Sequence, residues 1–500
     1  MSNNQTLKQL IDDRAKKLSL IKERSINPYP SSTRKTLNNA SAKERFSKLA
    51  DQKIFLAGRI TGRRGHGGLI FADLEDESDK IQLAVKKDNL ALKEFELFRD
   101  LIERGDFVEV SGKLFLTKAK EKTLEVSKIK LLAKATRPLP EKWAGLKNEE
   151  LKYRKRYLDL VTSRESREKF KKRSLFIKSL RDFLLRHDFI EFETPILQPV
   201  AGGATAKPFK TLHNALNQEY FLRIAPELYL KRLIVGGFEK VFEIARTFRN
   251  EGISPQHNPD FTMLEFYWAY SDYEQLMKFT EEMLKETVPQ ICGSLKVTYQ
   301  NKKFDFTPPF PRVYFSDLIK KELGVKTDSL DRKALLALAK KHELELEDGG
   351  KKLSESKILD EIYKKTIRPK IKGPIFLLDY PKSLIPLAKT KENDSSKIAT
   401  FQLVVNGWEI VKAYNELNDP NEQRDRFGEQ EAARKKGDDE AHSIDEDYLE
   451  ALSYGMPPTA GWGMGIDRLL VLLLDQKMYG MLSSFHFAKP KKSSSLLAIA

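Results

Sequence analysis

A single cysteine, Cys292, in 500 residues leaves no disulfide framework and no cysteine-based zinc site, and it suits a reducing cytosol. No apolar run approaches the ~20 residues needed to span a bilayer, and the opening MSNNQTLKQL has no apolar signal core. Secretion and membrane insertion are therefore not expected. What is plentiful is charge: 32% of residues are Asp, Glu, Lys or Arg, with a net charge of +16. Such an excess favours a polyanionic partner without naming one, and a generally basic proteome would give the same balance. The length is too great for one core and predicts two or three domains.

Residues 241–270 carry the most information. They read as two alternating strands joined by a turn-rich loop with Gly252, Ser254, Pro255, Asn258 and Pro259. Phe242, Ile244 and Phe248 share one face of the first strand, and Glu243 and Arg249 point the other way. In the second strand Leu264, Phe266 and Trp268 lie opposite Phe261, Glu265 and Tyr267. The polar face offers a guanidinium, carboxylates, a phenol and an aromatic ring, which suit a phosphate, an amine and a flat base. A half-exposed antiparallel hairpin would show the same alternation, so the pattern alone decides nothing.

Around this segment the organisation changes several times. Leu7, Leu10, Ile11, Ala15, Leu18 and Ile21 have helical spacing, and residues 25–50 read as a connection, so residues 1–52 form a helical extension. Residues 53–135 hold five short alternating strands and one helical segment, the pattern of a small OB-type barrel. There Arg63, Arg64, Phe71 and Gln82 would suit an oligonucleotide, although Phe71 in the core and solvated arginines would fit as well. Residues 136–155 read as a Pro/Gly-containing linker, and residues 156–486 as the larger α+β domain. Its stretch at about 272–379 reads as a mostly helical insertion on the rim, and residues 487–500 as a disordered tail.

Two further segments carry chemistry. Asn406-Gly407 is the preferred pair for a two-residue type I′ turn, which would pair Val405 with Trp408 and Val404 with Glu409. Gln402 then lies diagonally from Glu409 on one face, ~7–8 Å away at the backbone, where both could hold one cation. Gly461, Gly463 and Gly465 precede Arg468 in the first turn of an apolar helix, a weak signal by itself.

Together FETPIL at 192–197, FRNEGISPQHNPDFTMLE at 248–265 and GMGIDRLL at 463–470 resemble motifs 1, 2 and 3 of class II aminoacyl-tRNA synthetases. The resemblance is closest to the lysine enzymes and includes GGATAKPF at 202–209, RIAPELYLKRL at 223–233, NELNDP at 415–420 and RPLPEKW at 137–143. It covers about residues 53–475 and makes the barrel an anticodon-binding domain.

The resemblance implies a six-stranded antiparallel sheet, a cytoplasmic homodimer built around motif 1, and a two-step reaction. Lysine and ATP would give lysyl-adenylate, and the lysyl group would pass to tRNA(Lys). Positioning and charge stabilisation suffice for such chemistry, in keeping with the absence of any recognisable Ser/His/Asp or Cys/His triad.

Site roles follow from matching positions. Arg249, Glu409 and Arg468 would be catalytic. Arg249 would grip the α-phosphate and the lysine carboxylate. Glu251, His257, Asn258 and Gly465 would line the ATP site, Phe261 would stack on adenine, and Arg468 would meet the γ-phosphate. Gly203, Glu227 and Glu265 would surround the lysine α-amino group. Glu416 and Tyr267 would take its ε-ammonium and so set specificity. Arg64, Phe71, Gln82 and Glu121 would read the anticodon.

Three features depart from the family pattern. A magnesium-binding carboxylate is expected at 402 beside Glu409, and this chain has Gln402; an amide oxygen can coordinate Mg2+ but brings no charge. Asparagine is expected at 412, near the lysine carboxylate, and this chain has Lys412, whose ammonium could bind the same lysine carboxylate or partly replace a metal charge near the phosphates. The end of the chain lacks the expected arginine-containing segment followed by Phe-Pro. Gln402 and Lys412 are the support for an alternative, a non-catalytic tRNA-binding paralogue with a regulatory role. Lysyl transfer to a non-tRNA acceptor is disfavoured by the barrel when the acceptor is protein, and by the lack of apolar spans when it is lipid.

Overall fold

The five alternating segments of residues 53–135 close on themselves. In this computed structural model, whose described residues are 6–49, 51–65, 67–140, 149–252, 257–326, 330–346, 353–435 and 443–476, the barrel runs Ile54–Arg64, Leu69–Glu75, Lys80–Lys86, Lys122–Ala133 and Phe107–Leu116. Closure leaves no free strand edge. Leu56, Ile60, Leu74, Leu83, Val110 and Leu124 fill its core, and Phe95 and Phe98 from the helical segment join them. The helix Leu7–Glu23 starts at a capping box in which Thr6 and Gln9 satisfy each other's backbone N–H groups. Its buried Arg14 donates to the carbonyls of Arg104 and Ala135, each at 2.9 Å.

The chain divides into two units, one through residue 148 and one from residue 149. The second is built on an eight-stranded sheet in the order Arg312–Tyr314, Ile375–Leu378, Thr400–Val405, Trp408–Asn415, Thr459–Gly465, Asp260–Ala269, Lys240–Phe248, Ile190–Glu191. The inner six strands are antiparallel, as the resemblance implied. A short strand pairs parallel at each edge.

The helices Arg164–Arg186 and Tyr273–Cys292 cover one face of the sheet. Phe176, Phe183, Phe279 and Met283 pack there against Phe266 and Trp462, whose rings stack with centroids 4.8 Å apart. Trp462 also donates through Nε1 to Thr280 Oγ1 at 2.8 Å, so its burial leaves no orphan N–H. Truncating so large a buried side chain costs about 3–5 kcal/mol. This layer backs the sheet, and Glu265 and Tyr267 lie on the opposite face.

One expectation changes. The 272–379 stretch is more than a rim insertion, because Tyr273–Cys292 covers the sheet and Arg312–Tyr314 and Ile375–Leu378 are strands within it. Around the motif 1 segment only Ile190–Glu191 pairs with the main sheet, and Leu197–Gln198 joins a separate three-stranded sheet. Between them Thr194 donates to Glu243 through both its N–H and its hydroxyl. The proposed tail at 487–500 and linker residues 141–148 lie outside the described residues, as do Ser254 and Pro255 of the hairpin loop.

Candidate active site

Three adjacent strands present the site. In their register Glu265 lies opposite Gly463, Tyr267 opposite Gly461, and Lys412 and Tyr414 flank the same two glycines from the other side. The missing side chains create the space. A Cβ on residue 461 would overlap Glu416 Oε1 and come within 2.6 Å of the Tyr267 ring. Glu265 and Tyr267 are both buried on the face away from Phe266, and Tyr267 O–H donates to Glu265 Oε2 at 3.2 Å.

Glu227, at the first turn of helix Glu227–Val235, and Glu416, just past the strand ending at Asn415, complete a cluster of three buried carboxylates. Tyr414 O–H donates to Glu227, with 2.9 Å to Oε1 and 3.0 Å to Oε2. Gly203 has φ +85, and a Cβ there would stand 3.0 Å from that of Glu227. Burial pushes the Glu265 carboxyl well above its usual range, and the charge of Glu227 pushes it further. Glu416 is shifted the same way by burial, despite the ammonium of Lys231 beside it. The ligand-free cluster therefore holds protons that a cationic ligand would displace.

At the other end lies a cationic basin. Arg249 follows its strand, with its N–H bonded to Pro259 O at 2.8 Å, and its guanidinium lies over the Phe261 ring, 5.1 Å from the centroid. Arg468, in the helix that begins after Gly465, donates from Nη1 to the Glu409 carbonyl at 2.6 Å. Burial pushes His257 down to about 4, helped by the charges of Arg468, Arg249 and Arg368. Arg249, Arg368 and Arg468 together make the field around this imidazole positive, although His257 is exposed at the surface. That field suits a triphosphate.

Glu409 stays charged within this basin. Burial alone would raise its pKa, but Lys412, Arg468, Arg368 and Lys364 outweigh burial and hold it below the usual range. The Asn406-Gly407 turn pairs Val405 with Trp408 and Val404 with Glu409, as the turn chemistry predicted. Beyond that point the register slips: Leu403 pairs with Val411 and Gln402 with Lys412, which leaves Ile410 as an extra residue. Ile410 and Val411 both enter the core, so Glu409 and Lys412 emerge on the same face. Gln402 Oε1 accepts from Tyr380 O–H at 2.6 Å.

Of the other ATP-site positions, Asn258 is buried and spends its amide N–H groups on Asp260, whereas Glu251 is exposed. In the barrel, Arg64 pairs with Phe71 and Asp73 with Gln82 across adjacent strands, and the Arg64 guanidinium lies 5.9 Å from the Phe71 centroid. Phe71 is half-buried rather than core, Gln82 accepts from Thr123 Oγ1 at 2.9 Å, and Glu121 is exposed before the next strand.

Comparison with known proteins decides the family. Residues 148–483 match the model of class II tRNA synthetases (D, K and N), and residues 54–132 match the OB-fold nucleic acid binding domain. The chain belongs to the class II tRNA synthetases. Similar curated proteins are lysine–tRNA ligases. That of Moorella thermoacetica is 45% identical, covering 96% of this chain and 97% of its own length. That of Thermotoga maritima is 42% identical, covering 97% of each. That of Aquifex aeolicus is 47% identical over 88% of this chain and 73% of its own.

Four site residues of the synthetase were not singled out in the sequence. Lys231 and Tyr414 bind Glu227, Arg368 acts on Glu409 and His257, and Tyr380 binds Gln402. Lys231 had a signal: it falls on the apolar stripe of its helix beside Leu228, Leu230 and Ile234. Arg368 had none, because its stretch carries no periodic pattern pointing toward a site.

Proposed function

We infer that this synthetase activates lysine with ATP and transfers the lysyl group to tRNA(Lys). The observation that carries the reading is the buried cluster of Glu227, Glu265 and Glu416, with the guanidinium of Arg249 toward the basin. An amino acid with two ammonium groups and one carboxylate complements that charge order. An aspartate side chain would place a carboxylate among carboxylates, and an asparagine side chain would leave one buried charge unmet.

In the first step a lysine carboxylate oxygen attacks the α-phosphorus of ATP. The bond from that phosphorus to the bridging oxygen breaks, and pyrophosphate leaves. Arg249 binds the attacking carboxylate and the α-phosphate together, which removes most of the entropic barrier to their encounter. Phe261 gives adenine a stacking surface, and Arg468 and neutral His257 meet the outgoing phosphates. In the second step the 3′-terminal ribose hydroxyl of tRNA attacks the lysyl carbonyl, and AMP leaves with the acyl oxygen's electrons.

Magnesium fits this site as a cation brought chiefly by the nucleotide. Glu409 offers one charged carboxylate and Gln402 one amide oxygen already accepting from Tyr380, and no cluster of three or more metal-binding side chains forms among the described residues. When bound, the ion supplies charge neutralisation at the phosphates, a task the surrounding Lys412, Arg368 and Lys364 share.

The reading includes a homodimer, supported by the exposed Ile190, Ile196 and Leu197 along the motif 1 segment. It also includes anticodon recognition by Arg64, Phe71, Gln82 and Glu121, and a cytoplasmic location. No helix among the described residues is long and apolar enough to cross a membrane. The test is aminoacylation: purified protein charges tRNA with lysine, and charging with aspartate or asparagine instead would overturn the reading.

A further inference from the structure

Lys231 is a fully buried lysine that the reaction above does not use. It stands four residues after Glu227 on the same helix, and its Nζ lies 2.5 Å from Glu227 Oε1. The same Nζ pairs with Glu416 through Oε2. The rings of Tyr267 and Tyr414 flank it, each with its centroid 5.9 Å away. The second oxygen of Glu416, Oε1, is buried without a hydrogen-bond partner and faces the space left by Gly461.

One carboxylate therefore has two differently committed oxygens. A buried carboxylate with no nearby cation takes up a proton, and its charge is then lost to any ligand. The ammonium on Oε2 opposes this, while Oε1 stays open on the ligand side. The charge count of the bound state agrees. Once the ligand has displaced the protons of the cluster, Glu227, Glu265 and Glu416 set against Lys231 leave two negative charges. That equals the two ammonium groups of lysine when Arg249 has met the carboxylate.

We propose that Lys231 is a positioning residue for amino-acid selection, which favours the ionised form of Glu416 when substrate arrives and aims its free oxygen at the substrate's side-chain ammonium. The proposal rests on the lysine reading of the site. Burial alone would discharge Lys231, but Glu227 and Glu416 outweigh it and hold the ammonium charged. The other titratable groups facing this pair are Glu265 and Tyr267 from strand Asp260–Ala269, Tyr414 from strand Trp408–Asn415 and Tyr448 from helix Glu446–Ser453. The tyrosines that flank Glu416 are pushed toward their neutral forms by burial, so they do not replace the ammonium.

The test is Lys231→Met in the full-length protein, read by lysine-dependent ATP–pyrophosphate exchange. At about pH 7 the KM for lysine rises roughly tenfold or more while kcat stays within about threefold, and the deficit shrinks as pH is raised, because alkali favours the ionised Glu416 that the missing ammonium no longer supports. A parent-like KM, or a deficit equal at every pH, overturns the proposal, since a purely structural role has no reason to follow the ionisation of Glu416. If Lys231→Met does not fold, Lys231→Gln keeps a hydrogen-bond donor between Glu227 and Glu416 and removes only the charge. The same pH-dependent deficit is expected there, and a pH-independent one overturns the proposal. A parent protein with no lysine-dependent exchange sinks the substrate reading and this proposal with it. A lysine-active parent matched by Lys231→Met sinks this proposal alone.

Discussion

Gln402 and Lys412 sit directly opposite each other across their hairpin, because Ile410 is an extra residue in its strand. The bulge turns Lys412 out of the core and onto the face of Glu409, where its charge is the foremost one holding that carboxylate ionised. Where the family resemblance implies a carboxylate at 402 this chain has a neutral amide, and where it implies a neutral amide at 412 it has an ammonium. The two changes shift the local charge in the same direction.

Removing that ammonium exposes its contribution. Lys412→Asn raises the magnesium concentration for half-maximal exchange by about fivefold, the equivalent of ~1 kcal/mol for a partly exposed charge. A magnesium titration of exchange rates checks this, and an unchanged midpoint shows that Lys412 does not share the metal's task.

The alternation at 241–270 was legible because one buried face imposes period two: Phe266 and Trp268 went inward, and Glu265 and Tyr267 reached the site. The Asn406-Gly407 turn was equally legible from its chemistry. The bulge at Ile410 was not, because two successive apolar residues look alike whether they alternate or share a face. Glu409 and Lys412, an odd number of positions apart, were the available hint. Lys231 betrays its burial by its place on an apolar helical stripe, but Glu416, its second carboxylate, comes from a distant segment that only tertiary packing brings alongside. The parallel edge strands depend on contacts between distant segments that no local pattern records.

The glycines of strand Thr459–Gly465 are defined by what lies above them. In Gly461→Ala the added methyl collides with Glu416 Oε1 and the Tyr267 ring. Displacing these groups lowers lysine kcat/KM roughly a hundredfold, in line with ångström-scale misplacement, while ATP binding measured by calorimetry stays within about threefold of the parent. Equal loss of both would mean that the sheet itself had shifted.

The carboxylate cluster links lysine binding to pH. Glu265 and Glu416 have raised pKa values in the folded protein, through burial first. Their contribution to stability is fully present below the ordinary glutamate pKa of 4.5 and is lost as pH rises through the raised values. Two arriving ammonium groups reverse the shift. Lysine therefore releases protons on binding, and its effect on Tm grows with pH. Calorimetry in buffers of different ionisation enthalpy checks the release, and buffer-independent heats would contradict it.

On the barrel, Phe71 is the one proposed anticodon contact that offers a stacking face. A stacked base is worth about 1–3 kcal/mol, so Phe71→Ala weakens tRNA binding roughly tenfold to hundredfold. Exchange without tRNA is unaffected, because that step uses only the second unit. Filter binding alongside exchange separates the two, and unaltered tRNA affinity removes Phe71 from the interface.

The most direct test of the whole account is amino-acid-dependent ATP–pyrophosphate exchange with lysine, ornithine, arginine, aspartate and asparagine across a magnesium titration. The carboxylate cluster predicts exchange with lysine, far weaker exchange with ornithine and arginine, and none with aspartate or asparagine. Absence of lysine-dependent exchange at every magnesium concentration, in folded protein that still binds tRNA, would contradict it.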